Sequence, residues 1–252
     1  MTVDLPEAFV GRPITHRALH DISDGRPENS TEAIAAAVAG DYGIEIDLQL
    51  SSDGVAICFH DYALDRLTSE TGAVGSRTAA ELTDIVLTGG HAGIPTLADV
   101  LKQVAGRVPL LIEIKDQDGA LGPNVGPLER AVADDLKDYE GPVAVMSFNP
   151  HSMAAMKEYA PRVPRGLVTD PFNADVWPIP EERLAEVRDI PDFDRVGASF
   201  ISHNVKDLAS PHVARLKARG VPILCWTVRS PEVEAEARKI VDNVTFEGYL
   251  PG

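Results

Sequence analysis

The stretch GIEIDLQL (residues 43–50) alternates aliphatic side chains with two carboxylates, Glu45 and Asp47. In an extended strand successive side chains point to opposite faces, so both acids share one face and the aliphatic side chains share the other. The run LLIEIK (residues 110–115) places Glu113 and Lys115 on one face in the same way. Because burying unpaired charges is costly, charged faces on two core strands predict a polar site, most simply one that holds a metal ion.

Strand-like runs alternate with helix-like segments along the whole chain. We predict strands at residues 14–18, 43–48, 109–115, 143–148, 166–169, 198–201, 222–228 and 244–246. Helices are predicted at residues 31–39, 96–104, 128–139, 149–159, 181–188, 206–219 and 231–240. This alternation indicates an α/β fold with a parallel sheet, and eight units favour closure into a (β/α)₈ TIM barrel over an open doubly wound sheet.

Residues 55–59 form one further strand-like run, only four residues after the run that ends at position 50. That spacing is too short for a parallel crossover, so we expect an antiparallel β-hairpin that carries His60 back towards Glu45 and Asp47. Residues 61–95 contain five glycines and little periodicity beyond a short helix near residues 78–87. We predict a single barrel domain over residues 1–252, with residues 61–95 as a small inserted lid or substrate-selecting segment.

The amino-acid composition limits the kinds of molecule that this protein is expected to bind. The 23 basic and 39 acidic residues give a net charge of −16, which repels nucleic acid and anionic lipid surfaces. No apolar run approaches the ~20 residues of a membrane span, and the N-terminus has no signal-peptide pattern, so we expect no membrane insertion and a cytoplasmic location. Cys58 and Cys225 lie in apolar runs and are expected to be buried free thiols. The sequence leaves the oligomeric state open.

Polar residues gather at the predicted strand ends, where active sites of such barrels lie. Three converging carboxylates suit Mg²⁺ or Ca²⁺, which take oxygen ligands and leave room for phosphate. Arg17 and Lys115 supply the local positive charge that a phosphate needs, and His16 and His60 suit proton transfer near neutral pH. The alternative for the acids is a buried salt-bridge network with Lys115.

A series of motifs, taken in order, resembles the glycerophosphodiester phosphodiesterase family. The motifs are HR (16–17), ENS (28–30), ExD (45–47), SDG (52–54), HD (60–61), LDR (64–66) and ExK (113–115), followed by IPTL (94–97), SF (147–148) and WT (226–227). The resemblance implies a barrel with a small insertion and one divalent cation, Mg²⁺ or Ca²⁺, held by Glu45, Asp47 and Glu113. It also implies hydrolysis of glycerophosphodiesters to sn-glycerol 3-phosphate and an alcohol, a phosphoric diester hydrolase of lipid and glycerol metabolism.

Within that scheme we expect His16 and His60 to divide the general acid and general base roles, with either water or the glycerol hydroxyl as nucleophile. The expected substrate-binding residues are Arg17 and Lys115 at the phosphate, Trp226 as an apolar wall for glycerol, and Glu28 and Asn29, which either orient His16 or contact phosphate.

Two positions depart from the family pattern. Ala18 replaces the usual Gly, which costs little unless the backbone there has a positive φ. FEGYLP (246–251) stands where Thr-Asp-x-Pro is usual. We expect neither departure to touch the metal or the histidines.

Two other function classes stay open at this point. An enolase-type barrel also uses strand-end carboxylates, Mg²⁺ and a lysine, and it would be a lyase or isomerase. A non-catalytic barrel could instead bind phosphodiesters without cleaving them.

Overall fold

Eight parallel strands close into a barrel in the computed structural model, which describes residues 2–251. The sheet order is β1-β9-β8-β7-β6-β5-β4-β2-β3, and pairing between β1 and β2 closes the ring. The predicted (β/α)₈ barrel is therefore confirmed. In chain order the nine strands are β1 (Ile14–Thr15), β2 (Gly43–Leu50), β3 (Ala56–Cys58), β4 (Leu110–Ile114), β5 (Val143–Ser147), β6 (Arg165–Thr169), β7 (Phe200–Asn204), β8 (Ile223–Val228) and β9 (Asn243–Phe246).

Helices connect the strands, and several begin at a side chain that caps the first turn. Ser30 accepts a hydrogen bond from the Ala33 backbone N–H at 3.1 Å, and Thr96 accepts one from the Asp99 N–H at 3.1 Å. The helices are α1 (Ala8–Gly11), α2 (Thr31–Ala39), α3 (Ala79–Asp84), α4 (Leu97–Val104), α5 (Pro127–Leu136), α6 (Pro150–Tyr159), α7 (Glu181–Arg188), α8 (Phe193–Val196), α9 (Pro211–Ala218) and α10 (Pro231–Ala237).

Two of these helices were not predicted, and several are shorter than predicted, α9 by the most. α1 and α8 have only four residues each, too few to show helical periodicity. The helix predicted at residues 206–219 begins instead at Pro211, because residues 205–207 form a separate 3₁₀ turn. Ser210 caps the new start by accepting a hydrogen bond from the His212 N–H at 3.3 Å.

The two faces of the sheet pack into different apolar clusters. Ile44, Ile46 and Leu48 belong to the large cluster between barrel and helices. A smaller cluster fills the barrel interior and consists of Phe9, Ile14, Leu111, Ala144, Met146, Val168, Phe200 and Leu224. Glu113 lies two residues after Leu111 on β4, so it shares the interior face at the carboxyl end of the strand. The barrel interior is thus apolar along the earlier part of the strands and charged at their carboxyl ends, which form the mouth of the barrel.

The hairpin follows the predicted path, whereas the lid or substrate-selecting role of residues 61–95 stays a prediction. β3 pairs antiparallel with β2, with Leu48 opposite Cys58, as expected from the short connection. The following segment, residues 61–95, packs around an apolar cluster of its own, made of Ile57, Phe59, Leu64, Val74, Leu82, Leu87 and Ile94. The assignment of residues 1–252 to one domain stays a prediction.

Cys58 and Cys225 are both buried and free, as the sequence predicted. Within residues 2–251, no helix combines the length and the apolar character needed to span a bilayer.

Candidate active site

Three carboxylates meet at the mouth of the barrel. β2 and β4 pair in a register that sets Asp47 opposite Glu113, and Glu45 precedes Asp47 on the same strand face. One oxygen from each of the three lies within 4.8 Å of the others, and all three side chains are buried. The convergence expected from the strand pattern is therefore present.

The pKa values of the three carboxylates depart from their ordinary values. Burial, with the charges of Asp47 and Glu113, raises the pKa of Glu45 well above its ordinary value. Burial also opposes ionisation of Asp47, but nearby positive charge, chiefly that of Lys115, holds its pKa below the usual range. Lys115 Nζ lies 2.8 Å from Asp47 Oδ1 and 2.6 Å from Glu113 Oε1, whereas among residues 2–251 no cationic side chain pairs with Glu45. An all-oxygen donor set with excess negative charge fits a hard divalent cation.

Arg17 joins β1 to this cluster. Its backbone N–H donates to Glu45 Oε2 at 2.8 Å, and its guanidinium Nη1 donates to Glu28 Oε1 at 2.8 Å. The guanidinium Nε lies 3.5 Å from Asp47 Oδ2, and it is buried without a hydrogen-bond partner. An unpartnered donor beside the carboxylates is available to an anionic oxygen of a ligand.

His16 contacts a residue that sequence reasoning did not assign to the site. Its Nδ1 lies 2.5 Å from Oε2 of Glu247, the residue after β9. The expectation that the FEGYLP segment stays clear of the histidines is therefore wrong, because barrel closure sets β9 beside β1. Burial lowers the pKa of His16 below 6.5, while the Glu247 contact acts in the opposite direction.

His60 has a matching arrangement on the other side of the mouth. Its Nδ1 lies 2.7 Å from Asp61 Oδ1, and burial lowers its pKa below 6.5. Asp61 in turn accepts two hydrogen bonds from Arg66, from Nε at 2.7 Å and from Nη2 at 2.8 Å. Although burial opposes it, this contact helps to bring the pKa of Asp61 to about 2. Each histidine therefore pairs Nδ1 with a carboxylate, which leaves Nε2 for a ligand.

Glu28 and Asn29 contact the charged residues of the site rather than His16. Glu28 pairs with Arg17 and accepts two further hydrogen bonds from Arg66, both at 2.8 Å. The Asn29 amide donates to Asp47 Oδ2 at 2.9 Å, and its carbonyl oxygen accepts from the Asp47 N–H at 3.2 Å. Both residues support groups at the mouth, and a direct contact of either with substrate stays a prediction.

These groups surround a cavity of about 240 Å³ at the barrel mouth. His16, Arg17, His60, Lys115 and the three acids line one side, and the opposite side contains Met146, Phe148, Val168 and Trp226. The Trp226 indole N–H donates to the Ser202 carbonyl at 3.1 Å, which holds the ring in place. The cavity therefore has a charged half beside an apolar wall.

Ala18 has the backbone conformation that makes its substitution matter. Its φ is +64°, and that of Arg17 is +53°, in the left-handed region that favours glycine. The Ala18 N–H donates to the Glu45 carbonyl at 2.9 Å, which fixes this turn against β2. The chain thus adopts an unfavourable backbone conformation at the position where the family usually has glycine.

Three charged residues of the cavity region were missed at the sequence level: Glu247, Lys206 and Arg229. Arg229 Nε donates to Glu247 Oε1 at 2.7 Å, so two of the three form one ion pair. A signal for Glu247 was present, because Asn243, Thr245 and Glu247 alternate on one strand face as the acids of β2 do. Lys206 follows β7 in a turn and carries no comparable pattern.

The chain is similar to known proteins over most of its length. The model of the glycerophosphoryl diester phosphodiesterase family matches residues 16–245. A glycerophosphodiester phosphodiesterase of Caldanaerobacter subterraneus is 29% identical over 229 residues, covering 86% of this chain and 87% of the relative. A Bos taurus protein named glycerophosphodiester phosphodiesterase 1 is 24% identical, covering 86% of this chain and 71% of its own.

Solved structures share the fold. An Oleispira antarctica phosphodiesterase, determined in complex with the product sn-glycerol-3-phosphate, superposes with a TM-score of 0.76 at 23% identity, covering 95% of this chain and 94% of that one. A glycerophosphodiester phosphodiesterase from Thermotoga maritima gives a TM-score of 0.69 at 23% identity, with 92% of each chain covered. At 23% identity, these likenesses show a shared fold and nothing more.

Proposed function

This chain belongs to the glycerophosphoryl diester phosphodiesterase family, and on that premise we propose that it hydrolyses glycerophosphodiesters to sn-glycerol 3-phosphate and an alcohol. One observation carries the proposal. The carboxylates of Glu45, Asp47 and Glu113 converge in the same cavity as two histidines whose Nδ1 atoms are each paired with a carboxylate. Membership of this family favours an enzyme over a barrel that binds phosphodiesters without cleaving them.

The three carboxylates would hold one Mg²⁺ or Ca²⁺, since their donor atoms are all oxygens. When bound, the cation supplies Lewis-acid stabilisation of negative charge on the phosphodiester. Arg17 contributes its unpartnered Nε to the same anionic oxygens, and Lys115 adds a second positive charge. Phe148 and Trp226 offer the apolar carbons of the substrate a dry surface across the cavity.

His16 and His60 would share the proton transfers. Their lowered pKa values keep the free imidazoles neutral at pH 7, so one can accept a proton from the nucleophile at Nε2. The other must carry a proton to the departing alkoxide, and the negative phosphate and its paired carboxylate both favour that charged form. Glu247 and Asp61 hold the Nδ1 proton in each case, which orients the ring.

The test is release of glycerol 3-phosphate from glycerophosphocholine and other glycerophosphodiesters, with Mg²⁺ or Ca²⁺ and with EDTA. We expect chelator-sensitive release by the unaltered protein, and a fall in kcat of at least about 100-fold in each of His16→Gln and His60→Gln. His212→Gln is the control, because His212 lies next to a carboxylate, Asp189, 3.6 Å away, but comes from α9 on the outside of the barrel.

Near-normal turnover in both active-site variants would refute the two-histidine scheme. Release that persists unchanged in EDTA would refute the dependence on a cation. No release from any of the diesters would favour a barrel that binds phosphodiesters without cleaving them.

A further inference from the structure

A second group of metal-binding side chains lies beside the carboxylate cluster and differs from it in chemistry. It consists of His16, His20 and Glu247, each offering one donor atom, and these atoms lie within 4.8 Å of one another. His20 comes from the loop between β1 and α2, and Glu247 follows β9. Two imidazoles and one carboxylate suit borderline ions such as Zn²⁺, whereas the all-oxygen cluster suits Mg²⁺ or Ca²⁺.

His20 has no role in the proposed reaction, yet its ring is held towards this group. Its Nε2 lies 3.6 Å from Glu247 Oε2, which is too long for a hydrogen bond, and the atom is buried with no hydrogen-bond partner in the part of the chain that the structure describes. A buried imidazole nitrogen that makes no hydrogen bond is unfavourable. Either a hydrogen-bond acceptor or a metal ion would satisfy it. The His20 side chain as a whole is 26% exposed, so the ring lies at the edge of the protein even though Nε2 points inward.

Both donor separations that involve Glu247 allow a metal after an adjustment of less than about 1 Å, and the two imidazole nitrogens lie within 4.8 Å of each other. Ligands 2.0–2.1 Å from a tetrahedral zinc ion lie roughly 3.3 to 3.4 Å apart. The His20–Glu247 separation of 3.6 Å already approaches this, and the 2.5 Å contact between His16 Nδ1 and Glu247 must open by less than about 1 Å. Arg229 donates to the other oxygen of Glu247 at 2.7 Å and would keep the carboxylate oriented.

We infer that His16, His20 and Glu247 form an inhibitory site for Zn²⁺, distinct from the site of the activating cation. Zinc at His16 Nδ1 displaces the proton from that nitrogen, so the neutral ring carries its proton on Nε2. Such a ring cannot accept a proton there, and losing one would create an unfavourable imidazolate. His16 then cannot serve as base or acid, so turnover stops. This consequence depends on the proposed function, but zinc binding itself does not.

The experiment titrates Zn²⁺ into the full chain saturated with Mg²⁺, measuring binding by calorimetry and turnover of glycerophosphocholine in parallel. We compare the unaltered protein with His20→Gln, since a glutamine amide keeps a donor near Glu247 but is not a zinc ligand. His212→Gln is the matched control, because His212 Nε2 also lies 3.6 Å from a carboxylate and its side chain is 24% exposed.

We expect one Zn²⁺ per chain to bind the unaltered protein and His212→Gln, with loss of turnover over the same concentrations. His20→Gln should keep its Mg²⁺-supported activity within about twofold while zinc binding and inhibition weaken at least tenfold. Equal zinc affinity in His20→Gln and the unaltered protein would overturn the inference, as would inhibition that excess Mg²⁺ relieves equally in both. If zinc binds in a His20-dependent way but no diester is cleaved, this site stands and the proposed function fails.

Discussion

At the residue scale, the two histidines of the cavity are supported by carboxylates in different surroundings. Asp61 follows His60 directly and is held by two hydrogen bonds from Arg66. Glu247 approaches His16 from the other end of the chain and shares its oxygens with Arg229. A carboxylate at Nδ1 fixes both the tautomer and the orientation of the histidine ring. Removing either carboxylate should therefore disturb the proton transfers while leaving the rest of the cavity in place.

Glu247→Ala should lower kcat by about 100-fold with a smaller effect on KM, because His16 loses its orienting partner. Glu247→Gln should lose less, since its amide oxygen can still accept from Nδ1. The glutamine removes a negative charge that raises the pKa of His16, so that pKa should fall further below 6.5. His16 also faces Arg17, which lowers its pKa, and Asp47, which raises it.

The pH profile of kcat/KM then reports the role of His16. The acid limb should move to lower pH if His16 is the base, and the alkaline limb should move to lower pH if it is the acid. Asp207→Asn is the control, because Asp207 lies 3.2 Å from Nε2 of His203, whose strand face packs against the helices. Unchanged limbs in Glu247→Gln would contradict the assignment.

At the element scale, the hairpin and the inserted segment supply one side of the site. β3 turns the chain back along β2, so that His60 emerges near Asp47, and the Phe59 N–H donates to the Asp47 carbonyl at 3.0 Å. Arg66, in the insertion, then contacts both Asp61 and Glu28 and so connects the partner of His60 to the partner of Arg17. Residues 61–95 therefore help to hold the charged groups at the cavity mouth.

Arg66→Gln should lower kcat/KM by roughly 10- to 100-fold, because misplacing catalytic groups by about 1 Å has effects of that size. Its effect on thermal stability should be small, since exposed ion pairs contribute about 0–1 kcal/mol and Arg66 is half exposed. Steady-state kinetics and thermal unfolding measure the two effects separately.

Arg77→Gln provides the comparison, since Arg77 also lies in the insertion and pairs with a carboxylate, Glu70, at 3.3 Å. Equal losses of activity in both variants would mean that the insertion acts through its overall fold rather than through Arg66.

At the scale of the whole molecule, a chain of net charge −16 gathers three of its carboxylates at one buried point. Lys115 and Arg17 offset only part of this charge, and the remaining repulsion opposes folding, as the raised pKa of Glu45 indicates. A divalent cation that binds only the folded state should therefore stabilise the protein as well as activate it.

Mg²⁺ or Ca²⁺ at about 100 times its dissociation constant should stabilise the fold by about 2.7 kcal/mol. In a chain of this length that corresponds to a rise in Tm of about 5 to 10 °C. Glu45→Gln should unfold at or above the Tm of the cation-free unaltered protein, because it removes a poorly solvated charge. It should also lose most of the cation-dependent rise. Scanning calorimetry with and without EDTA measures both effects, and an unaltered cation response in Glu45→Gln would exclude Glu45 as a ligand.

The sequence by itself determined the barrel and much of its mouth. Alternating strands and helices, the short connection before β3, and the two-residue spacing of Glu45 and Asp47 are local patterns, so they can be read without coordinates. The carboxylates and Lys115 lie on or just after barrel strands whose periodicity directs them to the interior, and His60 is returned to them by the hairpin. Their convergence follows once the strands are parallel and in one ring.

Only the tertiary structure decided which groups support that mouth. Glu247 meets His16 across 231 positions of the chain, and Arg66 meets Glu28 across 38. Neither contact has a local signature, because each depends on the closure of β9 against β1 or on the path of an irregular segment over the barrel. The positive φ of Ala18 is likewise set by the packing of its turn on β2. Such pairings arise from the register and closure of the whole sheet, which no single segment encodes.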